Sequence, residues 1–445
     1  MQKKYLNTLI AVALVGALYG GFAYWEKRKS QEPAASDSET SSEKLLAVEA
    51  KNVQSLTLKP REGETLTCRR EGESWNIVEP KKLSADKAAV ESILTSLLGA
   101  SIDQIIDPKP ASLKEFGLDL PSMTLEVTSS SKPEKFVLTL GDDTPTGGSV
   151  YAQMAGNPRV FTLASYLKSS LDKKVFDLRD KRILSIPSGQ VNRIEVRSKT
   201  KRWTLSKNPQ GIWDLVLPPA VRADRFTAEG IVRRLENGTM ESVVAEDKKN
   251  VGKYGLGSPE VTIRASGAGL TQTLIVGRKE DSRYYAMNSA LQPVFTLDAS
   301  FLTDFQKEAS DLRSKDLFTF STFEVKRLEV ESLVGARIFE KQPQNKWKQT
   351  APEAKDIPSE KLEALLNKLR GLRAESFPPG ENLEPYGLTK PAYRFKAHFG
   401  DANETESVEA AKVGEHSYAR RTTDILASEI SKTALDEIEK ALKEL

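Results

Sequence analysis

The chain has 445 residues, 39% of them apolar and 29% charged, the balance of ordinary folded protein. Lys plus Arg number 65 against 62 Asp plus Glu, and the net charge of +3 is too small over this length for a nucleic-acid footprint. One cysteine, Cys68, excludes an intramolecular disulfide and any cysteine-pair metal site, so the fold must rest on packing, with length for about three domains.

The first predicted element is the uncharged run Tyr5 to Trp25, interrupted only by Asn7 and Thr8. As a helix it spans about 32 Å at 1.5 Å per residue, enough to cross a hydrocarbon core of roughly 30 Å. Tyr5 and Tyr24-Trp25 stand where interfacial aromatics belong, and residues 1–29 read as an N-terminal transmembrane anchor contacting the membrane through residues 5–25. Lys3 and Lys4 precede the run while Lys27, Arg28 and Lys29 follow it, so charge does not orient it. Gly21-Phe22-Ala23 supports the competing reading of a cleaved secretory signal, although the run exceeds a typical signal core. Residues 30–45, rich in Ser, Glu, Pro and Ala, read as a disordered tether.

Three copies of one pattern follow, expected as domains over 46–185, 186–319 and 320–445. Each opens with alternating strands: Val53 to Leu58 and Leu66 to Arg70; Arg193 to Val196 and Trp203 to Leu205; Arg327 to Val330 and Arg337 to Phe339. A further strand carries a Trp with Pro five residues on: Trp75 and Pro80, Trp213 and Pro218, Trp347 and Pro352, a period of 138 and then 134 residues. Asp86 and Asp224 precede runs of helical spacing, where a carboxylate caps the first-turn N–H groups; Pro358-Ser359-Glu360 takes that place in the third copy, with Ser as the cap.

Phe116, Tyr254 and Tyr386 then introduce Gly-Leu-x-x-Pro, at Gly117 to Pro121, Gly255 to Pro259 and Gly387 to Pro391. Glycine there suits a helix end needing positive φ, and the proline stops helix continuation. Strands closing in Gly141, Gly277 and Gly414 come next, followed by strands at Tyr151, Tyr285 and Tyr418, so each half-sheet is an antiparallel meander. Val160-Phe161 and Val294-Phe295 add one more strand to the first two copies. Amphipathic helices close the copies, ending in Leu178-Arg179-Asp180 and Leu312-Arg313-Ser314, and in the third running from Ile430 to Leu445. The predicted class is α+β: three tandem similar domains, each an antiparallel sheet with packed helices, behind one N-terminal transmembrane helix.

The ordered recurrence of Trp75 to Pro80, Ala85-Asp86, Phe116-Gly117-Leu118 with Pro121, Leu140-Gly141, Tyr151, Val160-Phe161 and Leu178-Arg179-Asp180 resembles the family catalogued as domain of unknown function 4340. The resemblance implies a bacterial envelope protein with one membrane segment, encoded beside an ABC-type export system and its gliding-motility-type auxiliary component. It implies a single-pass protein of the inner (cytoplasmic) membrane with the domains on the extracytoplasmic side, and possible ABC transporter subunits as partners. The family assigns no catalytic residues. The third copy departs from the pattern by replacing Ala-Asp with Pro358-Ser359 and by lacking the closing Leu-Arg-Asp.

Catalytic signatures are sparse. His398 and His416 form no zinc-protease helix, no Gly-x-Ser-x-Gly elbow occurs, and the segment Gly141 to Gly148 lacks the Lys of a phosphate loop. Asp142 and Asp143 read as turn residues rather than cation ligands, Asp86 and Asp224 as caps rather than acids, and the tryptophans as core rather than stacking platforms. The expected function is a non-enzymatic, membrane-anchored scaffold or accessory component binding other membrane or envelope proteins, with no cofactor and no nucleic acid. The alternative is an envelope module that binds glycan or peptide through exposed aromatics.

Overall fold

The computed structural model describes residues 43–216 and 220–445. The anchor expected over residues 1–29, all but three residues of the tether, and Pro218 lie outside the described residues. Among the described residues no helix is long and apolar enough to cross a membrane. The chain divides into two compact units, one closing at Asp180 and the other running from Lys181 to Leu445. The first holds one domain and the second holds two. All three domains are alike, each an antiparallel sheet of nine strands with helices packed on it.

In the first domain β1 (Val53–Pro60), β2 (Leu66–Glu71), β3 (Ser74–Glu79) and β4 (Leu83–Ser84) form one meander. Helix α1 (Lys87–Leu98) leads to β5 (Gln104–Asp107), and β6 (Met123–Ser129), β7 (Lys135–Asp143), β8 (Ser149–Met154) and β9 (Val160–Ala164) form the second meander. Helices α2 (Ser165–Leu171) and α3 (Val175–Leu178) close it. The order across the sheet is β4-β3-β2-β1-β6-β7-β8-β9-β5. The β1–β6 pairing, with Leu56 opposite Val127 and Leu58 opposite Leu125, fuses the meanders into one sheet. Helix α1 carries Val90, Ile93, Leu94 and Leu97 on one stripe, which packs with Leu56, Ile77, Leu125 and Phe161 of the sheet. Burial of each such side chain contributes about 1.5–3 kcal/mol.

The second domain repeats this plan with β10 (Val191–Ser198), β11 (Arg202–Lys207), β12 (Trp213–Leu215), β13 (Val221–Arg222), α4 (Arg225–Glu236) and β14 (Ser242–Ala245). Its second half is β15 (Val261–Gly267), β16 (Leu270–Glu280), β17 (Arg283–Asn288), β18 (Val294–Asp298) and α5 (Ala309–Leu312). The third has β19 (Val325–Ser332), β20 (Gly335–Lys341), β21 (Trp347–Ala351), β22 (Lys355–Ile357), α6 (Ser359–Arg370) and β23 (Ala374–Ser376). It ends with β24 (Tyr393–Phe399), β25 (Glu404–Val413), β26 (His416–Arg421), β27 (Ser428–Ile430) and α7 (Lys432–Lys443).

Several sequence expectations are corrected. The first domain begins before residue 46, because Leu45 N–H donates to the Ala100 carbonyl (3.0 Å) and Ile102 N–H to that of Glu43 (2.9 Å). The later boundaries at 186 and 320 also move forward, since Ile183 and Leu317 bond to Gly238 and Leu372 of the domains they enter. Ile430 lies in β27, the strand missing from the third copy's sequence reading, and the final helix starts after it. The run before α5 is a 3-10 helix, Ala299–Gln306, rather than α. Asp142 and Asp143 end strand β7 instead of forming a turn.

Candidate functional site

The recurring residues gather into two corners in each domain. At the first corner Trp75, Trp213 and Trp347 are all buried, on β3, β12 and β21. Arg70 lies over the Trp75 ring at 4.8 Å and Lys207 over Trp213 at 5.2 Å. Pro80 and Pro352 follow cis peptide bonds just after their strands. Asp86 accepts a hydrogen bond from Ala89 N–H (3.2 Å) and Asp224 one from Thr227 N–H (2.8 Å), capping α1 and α4. The backbone N–H groups of the same two aspartates donate to the carbonyls of Leu178 (2.8 Å) and Leu312 (2.7 Å). The closing words Leu-Arg-Asp and Leu-Arg-Ser therefore leave the ends of α3 and α5 through single antiparallel bridges, Ala85 with Arg179 and Ala223 with Arg313. In the third domain Pro358 occupies the cap position of α6 without a side-chain bond, and Ser359 is the first helical residue, its hydroxyl donating to the Asn345 carbonyl (3.1 Å). The expected Ser cap is absent because the proline displaces it by one residue.

At the second corner Gly117, Gly255 and Gly387 adopt φ of 63°, 73° and 69°, the left-handed conformation that favours glycine. The preceding aromatic packs on the later tyrosine each time: Phe116 on Tyr151 at 5.1 Å, Tyr254 on Tyr285 at 4.9 Å, and Tyr386 on Tyr418 at 5.0 Å between ring centroids. Pro121, Pro259 and Pro391 stand two residues before β6, β15 and β24. Gly141 and Gly277 lie where a Cβ would collide with the carbonyl oxygens of Phe116 and Tyr254. Gly414 does not belong to this set. It is a turn glycine at φ 60° between β25 and β26, with open space around it. Strand pairing puts Ala411 in the equivalent place: Leu140 faces Ala152, Val276 faces Ala286 and Ala410 faces Ala419. The first two strand pairs bulge after that point while the third continues regularly, which leaves room for the methyl group.

Titratable groups gather elsewhere, at the junction of the second and third domains, which share one compact unit. Arg313 is 6% exposed. Its guanidinium donates to the carbonyls of Leu426 (3.2 Å) and Ala427 (3.3 Å) and to the Ser428 hydroxyl (3.3 Å), and lies 4.1 Å over the Phe377 ring. Burial pulls Arg313 down to about 10, with Asp424 opposing that and Arg421 adding to it. Arg421 donates to the Leu317 carbonyl (3.0 Å), the Ser314 hydroxyl (3.2 Å) and the Asp316 carbonyl, and pairs with Asp424 at 3.4 Å. Glu406 accepts from the backbone N–H groups of Thr319 (2.7 Å) and Phe320 (3.2 Å), from the Thr319 hydroxyl, and from Arg222 (3.1 Å). Burial pushes the Glu406 carboxyl up, but the Thr319 and Arg222 hydrogen bonds outweigh it and hold the group below its usual range. Of this network the sequence signalled only Arg313 and Ser314, through their recurring word.

The first domain carries a cleft of about 750 Å³ at the Gly147-Gly148 turn, where Lys168 pairs with Asp143 at 3.0 Å and Arg61 donates to the Pro121 carbonyl at 3.2 Å. Among the described residues no group of three His, Cys, Asp or Glu side chains could hold a metal ion. Cys68 is buried on β2, and burial pushes its thiol up to about 12.

The chain belongs to the family described as a domain of unknown function, DUF4340, which matches residues 75–220 and 213–391. The two matches begin on Trp75 and Trp213, the same point of the repeat. No curated protein matches the chain. Solved structures similar to it include a DNA polymerase sliding clamp from Pseudomonas aeruginosa, at 9% identity over 85% of this chain and 91% of that one, with a TM-score of 0.16. Another is the DNA polymerase III subunit beta from the same organism, at 9% identity over 88% of this chain and 94% of that one, also with a TM-score of 0.16. Likeness at that level carries no argument.

Proposed function

We propose that this chain is a non-enzymatic, membrane-anchored extracytoplasmic protein of the bacterial inner membrane. Its three domains serve as an accessory or scaffold component of an ABC-type transport or gliding-motility-type envelope complex. The observation that carries the reading is the use of the recurring side chains. Tryptophans fill cores, aspartates cap helices, and glycine-aromatic corners turn the chain, so the repetition multiplies folded surface rather than a reactive centre. The apolar run at residues 5–25 supports the anchor, and the transport setting rests on the family's usual company. Burial of Trp75, Trp213 and Trp347 removes the stacking platform that a glycan module would need from them.

The test is purification of the full chain in mild detergent after in-cell cross-linking, with reciprocal tagging of each recovered membrane protein. The proposal expects transport-complex subunits to copurify in both directions. Recovery of the chain alone, or turnover of any substrate that depends on Asp86 or Asp224, defeats it.

A further inference from the structure

All three domains pair the same strands at the centre of the sheet, and one row of that register sets the first domain apart. In the second domain Arg193 of β10 lies between Ser206 of β11 and Ser266 of β15. In the third Arg327 of β19 lies between Glu340 of β20 and His398 of β24. Both central arginines are neutralised by carboxylates of their own domain: Arg193 by Glu195 at 2.8 Å, and Arg327 by Glu329 at 3.0 Å and Glu340 at 3.1 Å. In the first domain the row reads Arg69, Ser55 and Thr128. The arginine has moved to the flanking strand, a short serine holds the centre, and Thr57 replaces the glutamate two residues on.

Where the later domains place a paired arginine, the first has a pocket of about 460 Å³, lined by Lys51, Ser55, Arg69, Arg70, Thr128 and Ser130 among others. Among the described residues no carboxylate lines it. The acids two positions away along the same strands are engaged elsewhere, Glu71 by Asn76 at 2.8 Å and Glu126 by Lys135 at 2.9 Å. Lys51 is held by Glu49 at 2.6 Å, but Arg69 is exposed and makes no ion pair or hydrogen bond with the described residues. Arg70 has no carboxylate either: one nitrogen donates to the Ala50 carbonyl (3.0 Å), and its buried Nε–H finds no acceptor among the described residues. The Ser55 and Thr128 hydroxyls share one hydrogen bond (2.6 Å), so the second proton of the pair is free to donate.

We infer that this pocket binds a phosphoryl group, carried either by free phosphate or by the headgroup of an anionic phospholipid. Arg69 and Arg70 supply two positive charges and forked N–H donors, and the Ser55-Thr128 pair adds a hydroxyl donor. A carboxylate would satisfy one guanidinium, whereas the oxygens of a phosphoryl group can accept from both at once. The inference goes beyond the scaffold reading and does not depend on it.

The test is hydrogen exchange of the full chain in maltoside micelles, which contain no phosphate, at fixed ionic strength set with chloride. Inorganic phosphate is titrated in one arm, and phosphatidylglycerol is mixed into the micelles in the other. Saturable slowing at residues 50–55, 69–72 and 128–130 is expected, half-maximal at about 1 mM phosphate or below if the source is the free anion. Slowing in the lipid arm alone assigns the headgroup. Arg69→Glu, which carries the third domain's residue at this place, shifts the midpoint at least about tenfold, and Arg69→Gln weakens binding as well should the glutamate variant fail to fold. Arg193→Gln in the second domain leaves the midpoint unmoved. Slowing in neither arm up to about 10 mM phosphate, the same slowing from added chloride, or a midpoint indifferent to both Arg69 variants each overturns the inference.

Discussion

Replacing Arg313 with alanine tests the junction between the second and third domains. The truncation strips three hydrogen bonds of 3.2–3.3 Å and a ring contact at 4.1 Å from a site 6% exposed. It leaves the Leu426 and Ala427 carbonyls without that donor. Each buried acceptor left unpaired costs about 1–3 kcal/mol, and loss of the ring contact adds about 0.5–2 kcal/mol. Relief of burying the guanidinium, the cause that lowers it to about 10, offsets part of this. The expected net loss is about 3 kcal/mol, or a drop of roughly 6–12 °C in the melting of the Lys181–Leu445 unit. The assay is native-state hydrogen exchange of the full chain, with protection followed at β23 and β27. Faster exchange confined to those strands and to residues 313–317 is expected, with Arg313→Lys intermediate because it keeps the charge and loses the fork. Protection within about 0.5 kcal/mol of wild type for Arg313→Ala refutes a stabilising role for Arg313 at this junction.

The glycine corners give a matched set. Gly141→Ala and Gly277→Ala are each expected to cost about 1–3 kcal/mol in chemical denaturation, whereas Gly414, lying in open space, is limited only by its positive φ. Asp86→Ala and Asp224→Ala each lose a helix cap, for about 1 kcal/mol in the same assay, while Ser359→Ala, which removes no cap, stays within about 0.5 kcal/mol. Glu406 has a folded pKa below its ordinary 4.5, so its contribution is present above pH 4.5 and is lost as pH falls through the folded value. Acid titration of stability should show a loss below about pH 4.5 that is reduced in Glu406→Gln, and an unchanged acid slope in that variant contradicts the assignment.

What the sequence determined by itself is the period, the β opening of each copy, the aspartate caps and the left-handed glycines before Leu-x-x-Pro. Each of these is a local conformation whose energy is set by a few neighbouring residues, so its residue type recurs visibly. The tertiary structure alone decided that the two meanders fuse through β1 and β6, and that β5, β14 and β23 travel to the far edge. It decided that Ala411 rather than Gly414 matches Gly141, because the strand register, not the spelling of the strand, sets which residue lies against the glycine corner. Arg313 shows the same division: its recurrence is legible in Leu-Arg, but its partners Leu426, Ala427 and Phe377 lie more than sixty residues downstream. Contacts over such separations are selected by sheet register and burial, and these arise only once distant strands have paired.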